Sequence, residues 1–227
     1  MHAPSPSVSD AVQSRRSIRQ FLDRPVDKAL LRSVLERAQL APSGGNVQPW
    51  EVAILSGTAL SALKQKVIAA ALRGDTSYAD YQIYPHPLPN PWMQRRRDVA
   101  YAMYQAMGVA RDDKPARAAA SLRNLDAFGA PVLLLLHCPT FMGPPQWGDM
   151  GIWLQTVMLL LREEGLDSCP QEAWSLYGGL IREELGLGAD HILWTGLAIG
   201  WRDRHAPVNN FPCARAALDD VVRWFDD

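Results

Sequence analysis

The chain has 227 residues, of which 48% are hydrophobic and 21% are charged, and its formal net charge is −1. This composition excludes a largely disordered chain, and the near-zero charge gives no general attraction to nucleic acid or a membrane surface. The longest apolar run, 132–136, is far below the roughly 18–20 residues of a membrane span, and residues 1–10 lack a signal-peptide pattern, so we expect one cytoplasmic domain over residues 1–227.

The first part of the chain predicts a series of helices and one strand. Ser7 with Asp10 is typical of a helix N-terminus and begins a short helix through Val12. A longer helix over 27–40 has apolar residues at helical spacing and stops at a cluster of helix-breaking residues, 41–46. A strand and a further helix follow, over 50–55 and 58–74.

The middle of the chain contains a long segment without regular pattern. Residues 75–92 are rich in Tyr, Pro and His, and such a stretch inside a compact domain is typical of a lid or binding segment. Two helices are predicted after it, over 95–107 and 112–127. We therefore expect 75–127 to form a lid or cap insertion.

The last part predicts the central elements of the core. The apolar strand 131–137 is expected to be buried on both faces, and the helix 148–164, apolar nearly all round, should also be central. A loop at 168–172, a helix at 175–185 and a strand at 192–199 follow. The tail is expected to be irregular and to end in a short helix containing Leu218, Val221, Val222 and Phe225. The alternation predicts an α+β domain, a sheet covered on both faces by helices.

Cysteine and histidine spacing indicates no metal centre. The cysteines are widely spaced and form no CxxC pair, so neither a disulfide framework nor a zinc site is expected; they are Cys138, Cys169 and Cys213. The histidines stand singly or in the N-terminal tail, so we expect each to be structural or exposed; they are His2, His86, His137, His191 and His205.

Two segments carry residues suited to a phosphorylated ligand. Arg15, Ser17 and Arg19 would share one face of an extended chain, where they could grip a phosphate by charge-assisted hydrogen bonds. The alternative is a solvated basic surface. The turn 41–50 combines two glycines, which allow close backbone approach, with an unusual density of polar side chains; its alternative is an ordinary helix-to-strand turn.

These segments and three others resemble, in the same order, the nitroreductase family of FMN-dependent oxidoreductases. The matching stretches are 15–19, 41–50, 148–151 with the apolar helix that follows, 165–172 and 196–200. The resemblance runs from residue 11 to the C-terminus. It implies a three-layer α/β/α sandwich with a central, mostly antiparallel sheet, in a domain-swapped homodimer whose C-terminal extension, 201–227, wraps the partner subunit.

The resemblance also implies the cofactors and the reaction. FMN would lie between the two subunits, and NADH or NADPH would be the reductant. The reaction would be two-electron reduction of nitroaromatic compounds to nitroso and hydroxylamine products, by ping-pong hydride transfer through flavin N5. The alternatives are an FMN-dependent quinone or activated-alkene reductase, a non-catalytic flavin-binding sensor or carrier, and a flavin-free phosphate-ligand clamp.

The cofactor contacts carry over residue by residue. The phosphate and the flavin edge would be held by Arg15, Arg16, Ser17, Arg19 and, from the tail, Arg215. The flavin would be lined from the partner subunit by Pro42, Ser43, Gly44, Asn46 and Gln48. The remaining contacts are Pro170, Gln171 and Glu172, and the backbone N–H of Glu172 would face flavin N5. Family members often carry a second cation two positions before Arg215, where this chain has Cys213.

Arg19 and the backbone N–H of Glu172 are the predicted catalytic groups. A fixed guanidinium near flavin N1 and O2 favours hydride acceptance, and Arg16 is the alternative to Arg19 in this role. Substrate would stack on the flavin beside an aromatic wall, for which the candidates are Tyr81, Tyr84, Trp92 and Trp147. Packing of these aromatics in a cap over the core is the alternative.

Overall fold

The computed structural model describes residues 7–75 and 78–225, so both ends of the predicted 1–227 domain extend beyond it. The α-helices are α1 (Val8–Ser14), α2 (Lys28–Ala38), α3 (Gly57–Leu72), α4 (Trp92–Ala106), α5 (Lys114–Leu122), α6 (Pro144–Glu163) and α7 (Gly178–Leu185). The strands are β1 (Glu51–Ser56), β2 (Val132–Pro139), β3 (Asp167–Gln171) and β4 (His191–Gly200). The order of elements confirms the predicted α+β class.

The strands form one antiparallel sheet in the order β1–β2–β4–β3. Side chains of β2 alternate between two apolar cores. Leu133 and Leu135 belong to a core that includes residues of α3 and α7, whereas Leu134 and Leu136 belong to a core with residues of α2 and α6. The continuous apolar run of β2 is thus buried on both faces, as predicted.

The predicted loop at 168–172 is wrong, because most of it is strand β3. Asp167–Gln171 pairs with β4 at the edge of the sheet, where a proline such as Pro170 is tolerated. The outer side of β3 is covered by residues 15–19, which we call the arginine segment. The N–H of Ile18 in this segment donates to the carbonyl of Ser168 at 3.1 Å. The edge strand therefore positions the N-terminal segment that the sequence singles out.

Trp147 and Trp92 lie within helices, whereas the predicted helices began after them, at 148 and 95. Helix α6 begins at Pro144, with proline in the favourable first turn, so Trp147 lies inside the helix. Helix α4 begins at Trp92, which places this residue outside the irregular segment. The predicted helix 175–185 begins only at 178, because a 3₁₀-helix, Glu172–Tyr177, precedes it.

In the segment 75–92, predicted to be irregular, residues 75 and 78–91 contain neither helix nor strand, and residues 76 and 77 lie outside the described residues. The predicted terminal helix is wrong. Only a 3₁₀-turn, Leu218–Asp220, forms there, and Leu218, Val221 and Phe225 are exposed. A short amphipathic segment forms a stable helix chiefly when it can pack its apolar face, and these apolar side chains are not covered by the described part of the chain. None of the helices described here is both long and apolar enough for a membrane span.

Candidate functional site

A cavity of about 430 Å³ collects arginines from both ends of the chain. It is lined by the predicted residues Arg15, Arg16, Ser17, Arg19 and Arg215, together with Cys213. The structure therefore brings together the complete predicted phosphate-binding set, although Arg215 is far from the others in sequence. In a fully extended chain Arg16 would point away from Arg15 and Arg19, but in the structure all three line the same cavity. We call this space the arginine cavity.

The arginine segment is held against the sheet by one buried residue. Ile18 is fully buried, and its backbone N–H donates to Ser168 of β3. The neighbouring Ser17 forms a parallel bridge with the same serine. Because Ile18 fixes the backbone, its neighbours Ser17 and Arg19 are presented to the arginine cavity.

The guanidinium groups around the arginine cavity contact neutral partners. Nη1 of Arg16 donates to the carbonyl of Phe211 at 3.0 Å, and Nη1 of Arg19 donates to the carbonyl of Ser17 at 3.2 Å. Nη1 of Arg215 donates to the carbonyl of Cys213 at 3.0 Å. Within the described part of the chain, no ion pair involves any of these arginines or Arg15.

The charge in this cavity is uncompensated and partly desolvated. Burial lowers the pKa of Arg15, and the nearby charge of Arg215 lowers it further. A bound anion would relieve both effects. Four guanidiniums that converge without a carboxylate have the donor set that binds a phosphate group by charge-assisted hydrogen bonds. The residues present therefore fit the phosphate of FMN.

The polar turn predicted to line the flavin does not reach the arginine cavity of its own chain. Its backbone is left-handed at Gly45, Asn46 and Gln48, and the hydroxyl of Ser43 accepts the N–H of Gln48 at 2.9 Å. The N–H of Gly44 donates to the carboxylate of Asp149 in α6 at 3.2 Å. None of residues 42–48, Pro42 included, is among those lining the arginine cavity. These hydrogen bonds fix the turn, which is mostly exposed and lies apart from the arginine cavity.

Pro170 and Glu172 lie between two further cavities, of about 620 Å³ and 270 Å³, and line both. The buried Gln171 is fixed between them, because its Nε2 donates to the carbonyl of Asn124 at 2.7 Å and its Oε1 accepts from Trp174 at 3.3 Å. As the first residue of its 3₁₀-helix, Glu172 has a backbone N–H without an acceptor inside that helix. Burial raises the pKa of its carboxyl group.

The predicted substrate aromatics fall into separate places. Tyr84 lines the 620 Å³ cavity, with the guanidinium of Arg96 4.2 Å from its ring centroid. Tyr81 donates its hydroxyl hydrogen to the carbonyl of Trp194, and its ring centroid is 5.4 Å from that of Trp147. Trp92 is 56% exposed and lines neither cavity beside Glu172. Contact of these aromatics with substrate stays a prediction.

Sequence reasoning missed residues whose position depends on distant partners. Asn209 and Phe211 line the arginine cavity from the irregular tail, and Arg96 lines the cavity of Tyr84. Trp194 lines the 270 Å³ cavity. No local pattern in the polar tail marks Asn209 as a buried residue. For Arg96 a signal was present, because aromatic residues and arginines are abundant near 84–96.

Comparison with known proteins identifies the family. The model of the nitroreductase family matches residues 12–201. The chloronitrobenzene nitroreductase of Comamonas testosteroni is 33% identical over 225 residues, which cover 97% of each chain. The crystal structure of NfnB from Sphigopyxis sp. strain HMH, an FMN and NADPH-dependent nitroreductase, is 52% identical with a TM-score of 0.96, covering 98% of this chain and 100% of that one.

A second solved structure extends this likeness. The FMN-dependent nitroreductase NfnB from Mycobacterium smegmatis, in complex with NADPH, is 32% identical with a TM-score of 0.92, covering 96% of this chain and 97% of that one. The family match spans most of the chain, and both structures share its fold. The chain belongs to the nitroreductase family.

Proposed function

We propose that this protein is an FMN-dependent NAD(P)H oxidoreductase that reduces nitroaromatic compounds. The observation that carries the proposal is the convergence of Arg15, Arg16, Arg19 and Arg215 on one cavity without a carboxylate partner. The relative of 52% identity is an FMN and NADPH-dependent nitroreductase, and other relatives are named for nitrobenzene and 4-nitrobenzoate. The arginine cavity supports a phosphorylated cofactor, and the names of the relatives support FMN and the nitroaromatic substrate class.

The arginine cavity would hold the cofactor by its phosphate. Arg15, Ser17 and Arg215 would bind the phosphate, and Arg19, or Arg16 in its place, would supply fixed positive charge at the flavin edge. When bound, FMN would accept a hydride from NAD(P)H through N5 and pass electrons in pairs to a nitro group, in a ping-pong sequence that gives nitroso and then hydroxylamine products.

Glu172 would orient the flavin rather than exchange protons with it. Its backbone N–H, without an acceptor in its own helix, would donate to N5. Pro170 and the buried Gln171 would fix that donor, because Gln171 is hydrogen-bonded to Asn124 and Trp174. Solvent would then supply the protons of the reaction.

A homodimer would complete the site. In this proposal the partner's copy of the turn 42–48 covers the flavin, because the turn does not reach the arginine cavity of its own chain. Apolar side chains exposed on α1, α6 and the tail would gain from such a pairing, since burying apolar surface favours association; they include Val12, Ile152, Val221, Trp224 and Phe225. The fold would then be a three-layer sandwich with exchanged tails 201–227.

The substrate would lie beside the segment 75–127, which would form the cap. Tyr84, beneath Arg96, would present its face to an aromatic ring in the 620 Å³ cavity. Tyr81 and Trp147 would form a second wall beside Trp194. Trp92, exposed on α4 within this cap, would contact substrate only if the partner chain brings its substrate site to this part of the cap.

An anaerobic absorption experiment tests the proposal. The purified protein should be yellow, NADPH or NADH should bleach it, and nitrobenzene should restore the colour. Bleached protein that nitrobenzene cannot reoxidise would contradict the nitroreductase assignment. Faster turnover of quinones or activated alkenes, compared by kcat/KM, would favour that reductase class, and bound FMN that neither nicotinamide bleaches would favour a sensor or carrier. Protein that stays colourless after FMN is added and unbound FMN is removed would support a phosphate-ligand clamp.

A further inference from the structure

Three side chains with metal-binding atoms converge at one end of the sheet. Glu51 begins β1, His137 lies near the end of β2, and His191 begins β4. One ring nitrogen of each histidine and a carboxylate oxygen of Glu51 lie within 4.8 Å of one another. His137 and His191, which stand singly in the sequence, are therefore neighbours in the fold.

The register of the sheet brings these residues together. Glu51 lies directly opposite His137 on the neighbouring strand. The pairing of β2 with β4 shifts between Leu136 and His137, so that one extra residue, Trp194, lies between their partners on β4. A bulge of this kind redirects side chains, and the rings of His137 and His191 meet edge to face, 5.2 Å apart.

His137 has a buried atom that lacks a partner. Its side chain is 5% exposed, and its Nδ1 is one of the few buried polar side-chain atoms in the described residues without a hydrogen bond. Leaving such a nitrogen unpaired is unfavourable.

His191 is oriented as a metal-bound histidine is. Its Nδ1 lies 3.2 Å from a carboxylate oxygen of Asp190, and its Nε2 lies 3.4 Å from that of Glu51. Metal-binding histidines commonly donate the N–H of the other ring nitrogen to a carboxylate, which fixes the tautomer. The preceding turn depends on Gly188, because a Cβ there would lie 2.6 Å from Nδ1 of His191.

We propose that Glu51, His137 and His191 bind a divalent transition-metal ion, with zinc as the preferred ion. Two imidazoles and one carboxylate are zinc donors and are poorly suited to magnesium or calcium. Bonds of about 2.0–2.2 Å to zinc require the three atoms to draw together. The Glu51 side chain is 53% exposed and is free to turn inward, and water would complete the coordination. The ion would join β1, β2 and β4 at a place separate from the arginine cavity.

Zinc binding to the full-length flavoprotein tests this proposal. Protein without a polyhistidine tag, stripped of metal with a chelator, would be dialysed against ZnCl₂ at pH 7, and bound zinc would be counted by mass spectrometry. We expect saturable binding of one zinc per chain and a rise in Tm. Glu51→Gln and His191→Ala should each weaken binding at least tenfold, and Asp190→Asn about 10–100-fold.

His205→Ala, at an exposed histidine outside the cluster, is the matched control and should leave zinc binding unchanged. Every variant should retain FMN as the parent does, which shows that it is folded. Absence of saturable binding would overturn the proposal. So would zinc binding whose affinity either Glu51→Gln or His191→Ala leaves unchanged, since both side chains are proposed ligands.

Discussion

The side chain of Asn209 accepts a hydrogen bond from the backbone N–H of Arg19 at 2.8 Å. Its amide group donates to the carbonyls of Gln20 and Asp203, each at 2.8 Å. Asn209 is buried, so one side chain fastens the arginine segment to the beginning of the tail. The shape of the arginine cavity depends on this connection.

We expect Asn209→Ala to damage both stability and cofactor retention. The backbone N–H of Arg19 and the carbonyl of Asp203 lose their side-chain partner, and an unsatisfied buried group costs about 1–3 kcal/mol. The carbonyl of Gln20 keeps the N–H of Asp203 at 3.1 Å. Urea unfolding of the FMN-free protein measures the first effect, and flavin fluorescence titration measures the second. Asn210→Ala is the control, because Asn210 is exposed and bonds only within the tail. Equal losses in both variants would contradict this account.

Arg19→Ala should weaken FMN binding and slow bleaching by NADPH. Loss of a hydrogen bond to a charged group costs about 1.5–3 kcal/mol, which is about a tenfold to hundredfold change in the dissociation constant. Fluorescence titration and stopped-flow absorbance under nitrogen measure the two quantities. Arg111→Ala should change neither, because Arg111 is exposed and contacts the ring of Tyr101. Similar effects in the two variants would refute our placement of the cofactor.

Asp167→Asn should be strongly destabilising. The buried carboxylate of Asp167 accepts from Arg162 at 2.9 Å and from Nε of Arg202 at 2.6 Å, which joins α6, β3 and the tail. Removing one partner of a buried ion pair costs about 3–5 kcal/mol. Glu36→Gln removes the exposed pair with Arg32 and should cost about 0–1 kcal/mol. Urea unfolding of both variants measures the two losses in free energy of unfolding, and losses of similar size would contradict the role assigned to Asp167.

The free energy of unfolding should fall at alkaline pH. Burial raises the pKa of Cys138 and Cys169 from 9.0 to about 11. In that window the unfolded chain has lost both thiol protons while the folded chain keeps them, so the unfolded state is favoured as pH rises. Urea unfolding at increasing pH measures the slope. The slope should be shallower in the variant carrying Cys138→Ala and Cys169→Ala, and an unchanged slope would count against this cause.

The elements that sequence reasoning predicted well are those with a strong local pattern. The unbroken apolar run of β2 and the helical spacing of α2 leave few other structures possible. Strand β3 was missed because it combines a proline with polar residues, and its burial depends on the arginine segment packed against its edge. The neighbours of His137 were missed because sheet register is a long-range property.

The candidate site shows the same division. Arg15, Ser17 and Arg19 are close in sequence, so their common face was predictable from spacing alone. The tail contribution of Arg215 came from the family resemblance, since no local pattern joins it to the N-terminus. Asn209 was predictable by neither route, because its partners are Gln20 and Asp203 rather than its sequence neighbours.

The separation of the turn 42–48 from the arginine cavity of its own chain has a genetic consequence. If each flavin is held by the guanidiniums of one subunit and covered by the amide side chains of the other, two chains with substitutions in different segments can compensate for each other in a mixed dimer. A mixed dimer of one chain with Arg19→Ala and one with Asn46→Ala would contain one fully intact site and one doubly damaged site. Two weakened parents, mixed and reassociated at an FMN concentration too low to fill the damaged sites, should therefore yield hybrids with about half the native activity per dimer.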